Sequence, residues 1–373
     1  MKKDSILLRR AGKSSSKPPA SAEAETWTIG MDLGDKVSRY CVISGNAEIK
    51  LEGSVATNRK AMEAVFAGLA RCRIAIEVGT HSPWLSRVLQ ELGHEVVVAN
   101  PRQMKLISTS SRKDDRMDAQ MLARLARVDP ALLRPIQHRS EKAQGDLMEI
   151  RVRAELVEAR TALVNSARGL TKAMGERLPA CGTGTLGVDE LAALPAGMRA
   201  TLTQLLESVE GLTEQIQTCD ERIEQIARND YPETKLLRQV HGVGTLIALT
   251  FVLTVEDAER FSHSRDVGCY VGLRPKRSES GASQPELRIT KEGDVYLRTL
   301  LVQGAHCLLS KRAPDTDLKR FGEKLAGRGG KNAKKRAVVA VARKLAVLLH
   351  RLWVTGEVYE PLRNSQAKGL KAA

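Results

Sequence analysis

The chain has few aromatic residues, no long apolar run and no paired cysteines, and each absence excludes a class of protein. Aromatic residues are only 3% of 373 residues, which argues against base stacking on an aromatic sheet. The six cysteines lack the spacing of a zinc site or a disulfide framework. No apolar segment reaches transmembrane length, and residues 1–25 are polar and Ser/Pro/Ala-rich. We therefore expect a disordered N-terminal tail, no membrane association and a cytoplasmic location.

Basic residues are in excess over acidic ones. Lysine and arginine number 59 against 44 acids, a formal net charge of +15. Residues 319–344 alone contain ten Lys or Arg and one acid, Glu323. This density predicts a surface that follows phosphates, with nucleic acid as the partner.

Four carboxylates occupy positions that favour one metal site. Asp32 ends the segment TWTIGMD and Glu77 ends RIAIE, so both are predicted to lie at strand ends. Asp115 and Asp118 are three residues apart in a helical pattern, which directs both to one side of a helix. Converging carboxylates repel one another, and two Mg²⁺ ions would offset that repulsion and clamp a phosphodiester. The alternative for each residue alone is an unrelated surface acid.

Residues 26–135 alternate strand and helix patterns. Three strands, with a hairpin turn at Gly45-Asn46, precede a helix capped by Asn58. A strand, a helix, another strand and a helix at 115–128 follow. This order is that of an RNase H-like α/β fold, in which sites collect at strand ends.

Residues 136–230 form a second predicted domain, which is helical and almost free of strand formers. Apolar residues recur there at alternating three- and four-residue steps, an a/d seam of Leu202, Leu205, Val209, Leu212, Ile216, Cys219, Ile223 and Ile226. An earlier helix has the same spacing from Leu147 to Val164. The pattern fits both an antiparallel hairpin and a coiled coil between subunits. We expect both, with the second helix longer than its partner and the seam driving self-association.

Residues 231–355 form a third predicted domain, mostly helical, before a tail at 356–373. Gly242-Val243-Gly244 lies between apolar helical stretches like a helix–hairpin–helix turn, whose backbone N–H groups can hold a phosphate. A Gly/Ser/Pro loop with basic flanks follows. The nucleic-acid contacts that we predict here are Gly242, Gly244, Lys276, Arg277, Arg288, Lys291, Arg298, Lys334, Lys335 and Arg336.

The loop contains serines at 278, 280 and 283. A serine hydroxyl can attack a phosphodiester if a base takes its proton and cations hold the phosphate. Serine is also an ordinary turn residue, so the loop alone favours a structural role.

The order of these features resembles the IS110 family of insertion-sequence transposases. Four acids, a coiled coil, the GVG turn and LRPKRSESG…ITKEGDVYLRTLLVQGA follow one another from about Trp27 to about Arg351. The most specific blocks are the four acids with KDDRMDA, and GLRPKRSESG…KEGDVYLR.

The resemblance implies a DNA recombinase with a RuvC-like domain, whose four acids bind Mg²⁺, and a C-terminal domain whose serine becomes covalently linked to DNA. It implies guidance by a structured bridge RNA that pairs with donor and target DNA, and dimers that assemble into tetramers. Family members commonly have a serine pair before a glycine, and the matching residues here are Glu279-Ser280-Gly281. Ser280 is therefore the expected nucleophile, with Ser278 in reserve.

Other functions remain open at this point. A nuclease of the Holliday-junction type would use the carboxylates and water, and a non-catalytic regulator would use only the basic C-terminal region. A site-specific DNA invertase would share all of the motifs. A structured non-coding RNA beside the gene, within an element boundary, would favour transposition.

Overall fold

The computed structural model describes residues 27–100 and 114–365, except 279, 281, 282, 284 and 286. The predicted N-terminal tail lies outside the described residues, as do positions 366–373 of the predicted C-terminal tail. The chain divides into two compact units, with the boundary between His138 and Arg139. All six cysteines are free, as predicted. In the described part of the chain, no helix has both the length and the apolar character needed to cross a membrane.

The N-terminal unit contains a five-stranded mixed sheet. Its order is β3-β2-β1-β4-β5. The first three strands pair antiparallel, and β4 and β5 continue the sheet parallel to β1. The strands are β1 (Thr28–Asp32), β2 (Val37–Ile43), β3 (Ile49–Ala56), β4 (Arg73–Glu77) and β5 (Glu95–Ala99).

Three helices accompany this sheet, namely α1 (Arg59–Phe66), α2 (Ser82–Glu91) and α3 (Asp115–Val128). Asn58 caps α1 as predicted, because its side chain accepts a hydrogen bond from the Ala61 N–H at 2.9 Å. Gly45 and Asn46 are the central residues of the predicted hairpin turn, which the Ala47 N–H closes onto the Ser44 carbonyl at 3.0 Å. The predicted order of strands and helices is therefore observed.

The two faces of the sheet differ in the size of their side chains. Large residues such as Ile29 and Met31 pack with α1 and α2 on one face. On the other face small residues predominate, among them Gly30 and Ala75, and α3 packs there. The small side chains allow α3 to lie unusually close to β1.

The second unit is helical and begins with two long helices, α4 (Glu141–Ala173) and α5 (Ala196–Asp230). They run antiparallel, since Lys142 pairs with Asp230 at 3.0 Å and Arg160 donates to the Thr213 hydroxyl at 3.2 Å. Their lengths are 33 and 35 residues, so the second helix is longer than its partner, by two residues.

The predicted seam of α5 is buried inside the chain. Leu206 and Ala227 are buried where the heptad pattern predicted Leu205 and Ile226, which are half-buried. An α-helix with 3.6 residues per turn shifts its apolar stripe relative to a strict 3.5 repeat, which accounts for this difference. One end of the seam packs on Val164 and its neighbours, and the other end packs on both α4 and the C-terminal helices.

The remaining helices form the core of the second unit around α7, whose residues 247–255 are all buried. A helix that is apolar on every side belongs in an interior, as here. The unit is mostly α-helical, as predicted. These helices are α6 (Thr234–Leu237), α7 (Thr245–Val255), α8 (Val267–Tyr270), α9 (Val295–Leu308), α10 (Asp317–Ala326) and α11 (Ala333–Thr355).

Candidate active site and nucleic-acid interface

Asp32 and Glu77 are the last residues of two adjacent parallel strands. In the pairing of β1 with β4, Met31 lies opposite Ile76, which places the following residues, Asp32 and Glu77, side by side. The apolar residues before each acid are buried in the sheet, so each strand ends as the chain reaches solvent. Both acids therefore lie at the carboxyl edge of the sheet, where α/β folds collect their sites.

Asp115 and Asp118 are supplied by the first turn of α3. The side chain of Asp114 caps this helix by accepting from the Arg116 N–H at 3.1 Å. Gly30 in the middle of β1 lets the helix approach, because a Cβ there would lie 2.1 Å from the Ala119 carbonyl oxygen. The close packing brings the start of α3 to the edge that carries Asp32.

The four acids interact electrostatically. The pKa of Asp32 is raised to about 6, first by burial and then by the negative charges of Asp115, Glu77 and Asp118. A backbone hydrogen bond from Leu33 opposes this rise. Asp32 is therefore within electrostatic range of the other three predicted carboxylates.

The chemistry of this set suits a hard divalent cation, because carboxylate oxygens are the ligands that Mg²⁺ prefers. A bound cation would also offset the repulsion that raises the pKa of Asp32. In the structure as described, however, no three His, Cys, Asp or Glu side chains are grouped closely enough to hold a metal ion. The Mg²⁺ site therefore stays a prediction.

His81 is a polar residue beside this edge that the sequence reasoning missed. Trp84 donates its ring N–H to His81 Nδ1 at 3.2 Å, and His81 Nε2 lies 3.6 Å from Asp35 Oδ1. The Trp84 bond leaves the imidazole proton on Nε2 in the neutral ring. His81 and Asp35 follow Glu77 and Asp32 by a few residues, and the segment GTHSPW between a strand-end acid and a helix was the available signal.

The described residues of the serine loop lie at the end of a short two-stranded ribbon, here called the serine ribbon (the described residues between 273 and 291). Pro275 and Ile289 pair across it, and the Lys276 N–H donates to the Arg288 carbonyl at 2.9 Å. Ser280 and Ser283 face each other at the far end, with N–H···O distances of 3.3 and 3.1 Å. Ser280 is exposed, as a nucleophile for a large substrate must be.

A large groove separates the serine ribbon from α11. Its volume is about 1080 Å³, and no acid is present among the described residues that line it. Five of the predicted nucleic-acid contacts line this groove, together with two cations that were not predicted, Arg343 and Lys344. The predicted ones are Lys276, Arg288, Lys291, Lys335 and Arg336. Arg277 and Lys334 are exposed but do not line it.

The structure contradicts the prediction that Arg298 contacts nucleic acid. Arg298 is 9% exposed, and its Nη1 donates to the carbonyls of Val271 and Glu292 at 3.0 and 2.8 Å. Burial also lowers the pKa of its guanidinium. Arg298 therefore holds the base of the serine ribbon.

The GVG turn shows little capacity for a phosphate. Gly242 has φ +81°, and a Cβ there would meet the Gly304 carbonyl oxygen at 2.9 Å, so its role is in packing. Gly244 is exposed before α7, but Thr245 in the first turn already donates its hydroxyl to Glu224 at 2.5 Å. A carboxylate at this helix start disfavours the predicted phosphate contacts of Gly242 and Gly244.

Comparison with known proteins agrees with these features. A family model named for the DEDD transposase of IS110, and described as "Transposase", matches residues 29–174, the range that holds all four acids. A second model, described as "Transposase IS116/IS110/IS902 family", matches residues 234–320, which include the serine ribbon. The chain belongs to the IS110 family of transposases. Membership in this family implies a DNA substrate.

Individual relatives are similar along most of the IS110-family chain. The transposase for insertion sequence element IS1111A of Coxiella burnetii is 28% identical, over 96% of this chain and 98% of its own. A probable family 20 transposase of Pseudomonas aeruginosa is 29% identical, over 89% and 98%. The transposase for insertion sequence element IS1328 of Yersinia enterocolitica is 27% identical, over 77% and 85%.

Proposed function

We propose that this transposase cleaves and joins DNA strands through a covalent serine intermediate. The attacking atom is Ser280 Oγ, whose bond to the scissile phosphorus forms as the bond to the leaving deoxyribose oxygen breaks. The Ser280 proton passes to a general base, and the leaving deoxyribose oxygen takes up a proton. The observation that carries the proposal is the serine ribbon, which presents an exposed serine beside a groove lined by cations.

The carboxylate cluster has the second role in this reaction. Asp32, Glu77, Asp115 and Asp118 would hold Mg²⁺ through their carboxylate oxygens. When bound, the ion would supply electrostatic stabilisation to the charge that develops on the reacting phosphate. The sheet order and the position of the acids at the strand ends support an RNase H-like assignment for the N-terminal unit.

The test is trapping of the protein–DNA adduct. Ser280→Ala is expected to lose both recombination and the adduct seen on a denaturing gel, whereas Ser278→Ala keeps both. An adduct that persists in Ser280→Ala and disappears in Ser278→Ala would move the role to Ser278. If the wild-type protein cleaves DNA without any adduct, a nuclease that uses water replaces this proposal.

We further propose that a guide RNA supplies sequence choice. The cations that line the groove are suited to phosphate contacts, which position a nucleic acid without reading its bases, and specificity can then be delegated to base pairing. Protein that has been stripped of RNA should bind DNA but fail to recombine its own site. Recombination by RNA-free protein would show that the chain reads DNA directly.

Self-association remains part of the proposal, but on a different surface from the predicted seam. The seam residues of α5 are already buried within the chain. In contrast, α4 exposes Met148 (62%), Val152 (47%) and Leu170 (52%), and Met174 (70%) directly follows it. Met148→Glu with Val152→Glu should shift the protein towards monomer in light scattering, whereas an unchanged oligomer would exclude this face of α4.

A further inference from the structure

The groove between the serine ribbon and α11 combines two chemical characters. Val339, Ala340 and Val347 of α11 and Leu287 and Ile289 of the serine ribbon make it apolar. Seven lysines and arginines also line it, and no acid does so among the described residues. A ligand that matches both characters has an apolar, flat part and a negative charge.

A nucleic-acid duplex does not match such a groove well. Its bases are stacked inside, and it presents mainly phosphates and groove edges to a protein. An unpaired nucleotide offers a base for the apolar surface and a phosphate for the cations. The volume of about 1080 Å³ is at or above the upper end for small-molecule pockets, so there is room for more than one nucleotide.

The groove adjoins the ribbon that carries the proposed nucleophile. One wall is the serine ribbon itself, and Lys276 and Arg288, which pair across that ribbon, both line the groove. Ser280 lies on the same ribbon, a few residues along the chain from Lys276. We propose that this groove binds unpaired nucleotides next to the scissile phosphate, in preference to a duplex. The position relative to the scissile phosphate rests on the proposed role of Ser280.

Equilibrium binding by the full-length protein tests this preference. The protein carries Ser280→Ala and is stripped of RNA, so that no covalent step contributes. Fluorescence anisotropy compares a labelled single-stranded DNA, the same sequence as RNA, and the matching duplex. Ala340→Phe, which narrows the apolar surface, is expected to weaken single-strand binding about tenfold and duplex binding less than about twofold. The salt dependence should not change, because no charge is removed.

Val354→Phe is the matched control, since Val354 is exposed on the same helix and does not line the groove. It should bind every probe like the parent protein. If Ala340→Phe does not fold, Ala340→Leu gives the same ranking with a smaller side chain. Tighter binding of the RNA or of the DNA single strand identifies the source of the nucleotides.

Equal effects of Ala340→Phe on single strand and duplex, or no effect on either, would overturn the inference. If Ala340→Phe leaves the binding of every nucleic-acid probe unchanged but abolishes binding of an acidic, apolar peptide, the groove holds a protein segment instead. These outcomes are separate from the adduct assay. An adduct without a single-strand preference removes only the groove proposal, and a preference without any adduct removes only the role of Ser280.

Discussion

Replacing Gly30 with alanine tests whether the contact between α3 and β1 sets the carboxylate geometry. The added Cβ would lie 2.1 Å from the Ala119 carbonyl oxygen and 2.3 Å from the Ala123 nitrogen. Ordinary contacts begin near about 3.5 Å, and both neighbours are backbone atoms, so no side-chain rotation relieves the overlap. The helix must move by about 1 Å, and overpacking of this kind costs about 1–3 kcal/mol of folding free energy.

The shift should affect activity more than stability. Asp115 and Asp118 lie in the first turn of the displaced helix. A misplacement of about 1 Å typically costs about 100-fold in rate. We therefore expect Gly30→Ala to fold, to lose about 1–3 kcal/mol of stability, and to reduce excision of the donor element about 100-fold.

Stability is measured by urea unfolding followed by tryptophan fluorescence. The three tryptophans are Trp27 and Trp84 in the N-terminal unit and Trp353 in the second, so a Trp353→Phe background reports on the first unit alone. Excision is measured in cells by amplification of the resealed donor. Gly68→Ala is the control, because a Cβ at Gly68 meets nothing within 4 Å. If Gly30→Ala matches this control in both assays, the packing of α3 does not set the site.

Three further perturbations test structural and binding roles. Arg298→Gln should cost about 1–3 kcal/mol, because two backbone carbonyls lose a buried donor, and should leave the salt dependence of DNA binding unchanged. Lys335→Gln with Arg336→Gln should leave the stability unchanged and reduce the slope of log K against log salt for DNA binding by up to about 2. His350 is buried between the Ala258 carbonyl and the Ser264 hydroxyl, and burial lowers its pKa from 6.5. The unfolded protein therefore takes up a proton at His350 at a higher pH than the folded protein does. The free energy of unfolding should fall as pH drops below about 6.5, and His350→Gln should flatten that decline in urea unfolding. Unchanged salt slopes in the double variant, or an equal decline in His350→Gln, would contradict these assignments.

Local patterns predicted the elements well, because their signals lie within a few residues. Asn58, the Gly45-Asn46 turn and the bounds of α3 all follow from short-range chemistry. The strand-end position of Asp32 also follows from its apolar neighbours.

Features that depend on packing between distant segments were not predicted. Arg298 looked like any exposed cation, because only the fold shows that Val271 and Glu292 carbonyls surround it. Periodicity also left open how much of the α5 seam the chain itself covers, since it identifies an apolar face but not what covers it. Gly30 carried no local signal, because its function is the approach of a helix some ninety residues away in sequence.

The charges of the two units predict that one unit supplies the chemistry and the other supplies the affinity for DNA. Asp32 and the three acids that raise its pKa repel a DNA phosphate when no cation is present, whereas the groove of the second unit attracts it. DNA affinity should therefore come from the second unit, and the acids should contribute to chemistry alone. Asp32→Asn is expected to abolish the covalent adduct and yet to bind DNA as tightly as the parent protein, or more tightly, in metal-free buffer. A marked loss of metal-free DNA binding in Asp32→Asn would mean that the carboxylate edge itself shapes the DNA site, and the division would not hold.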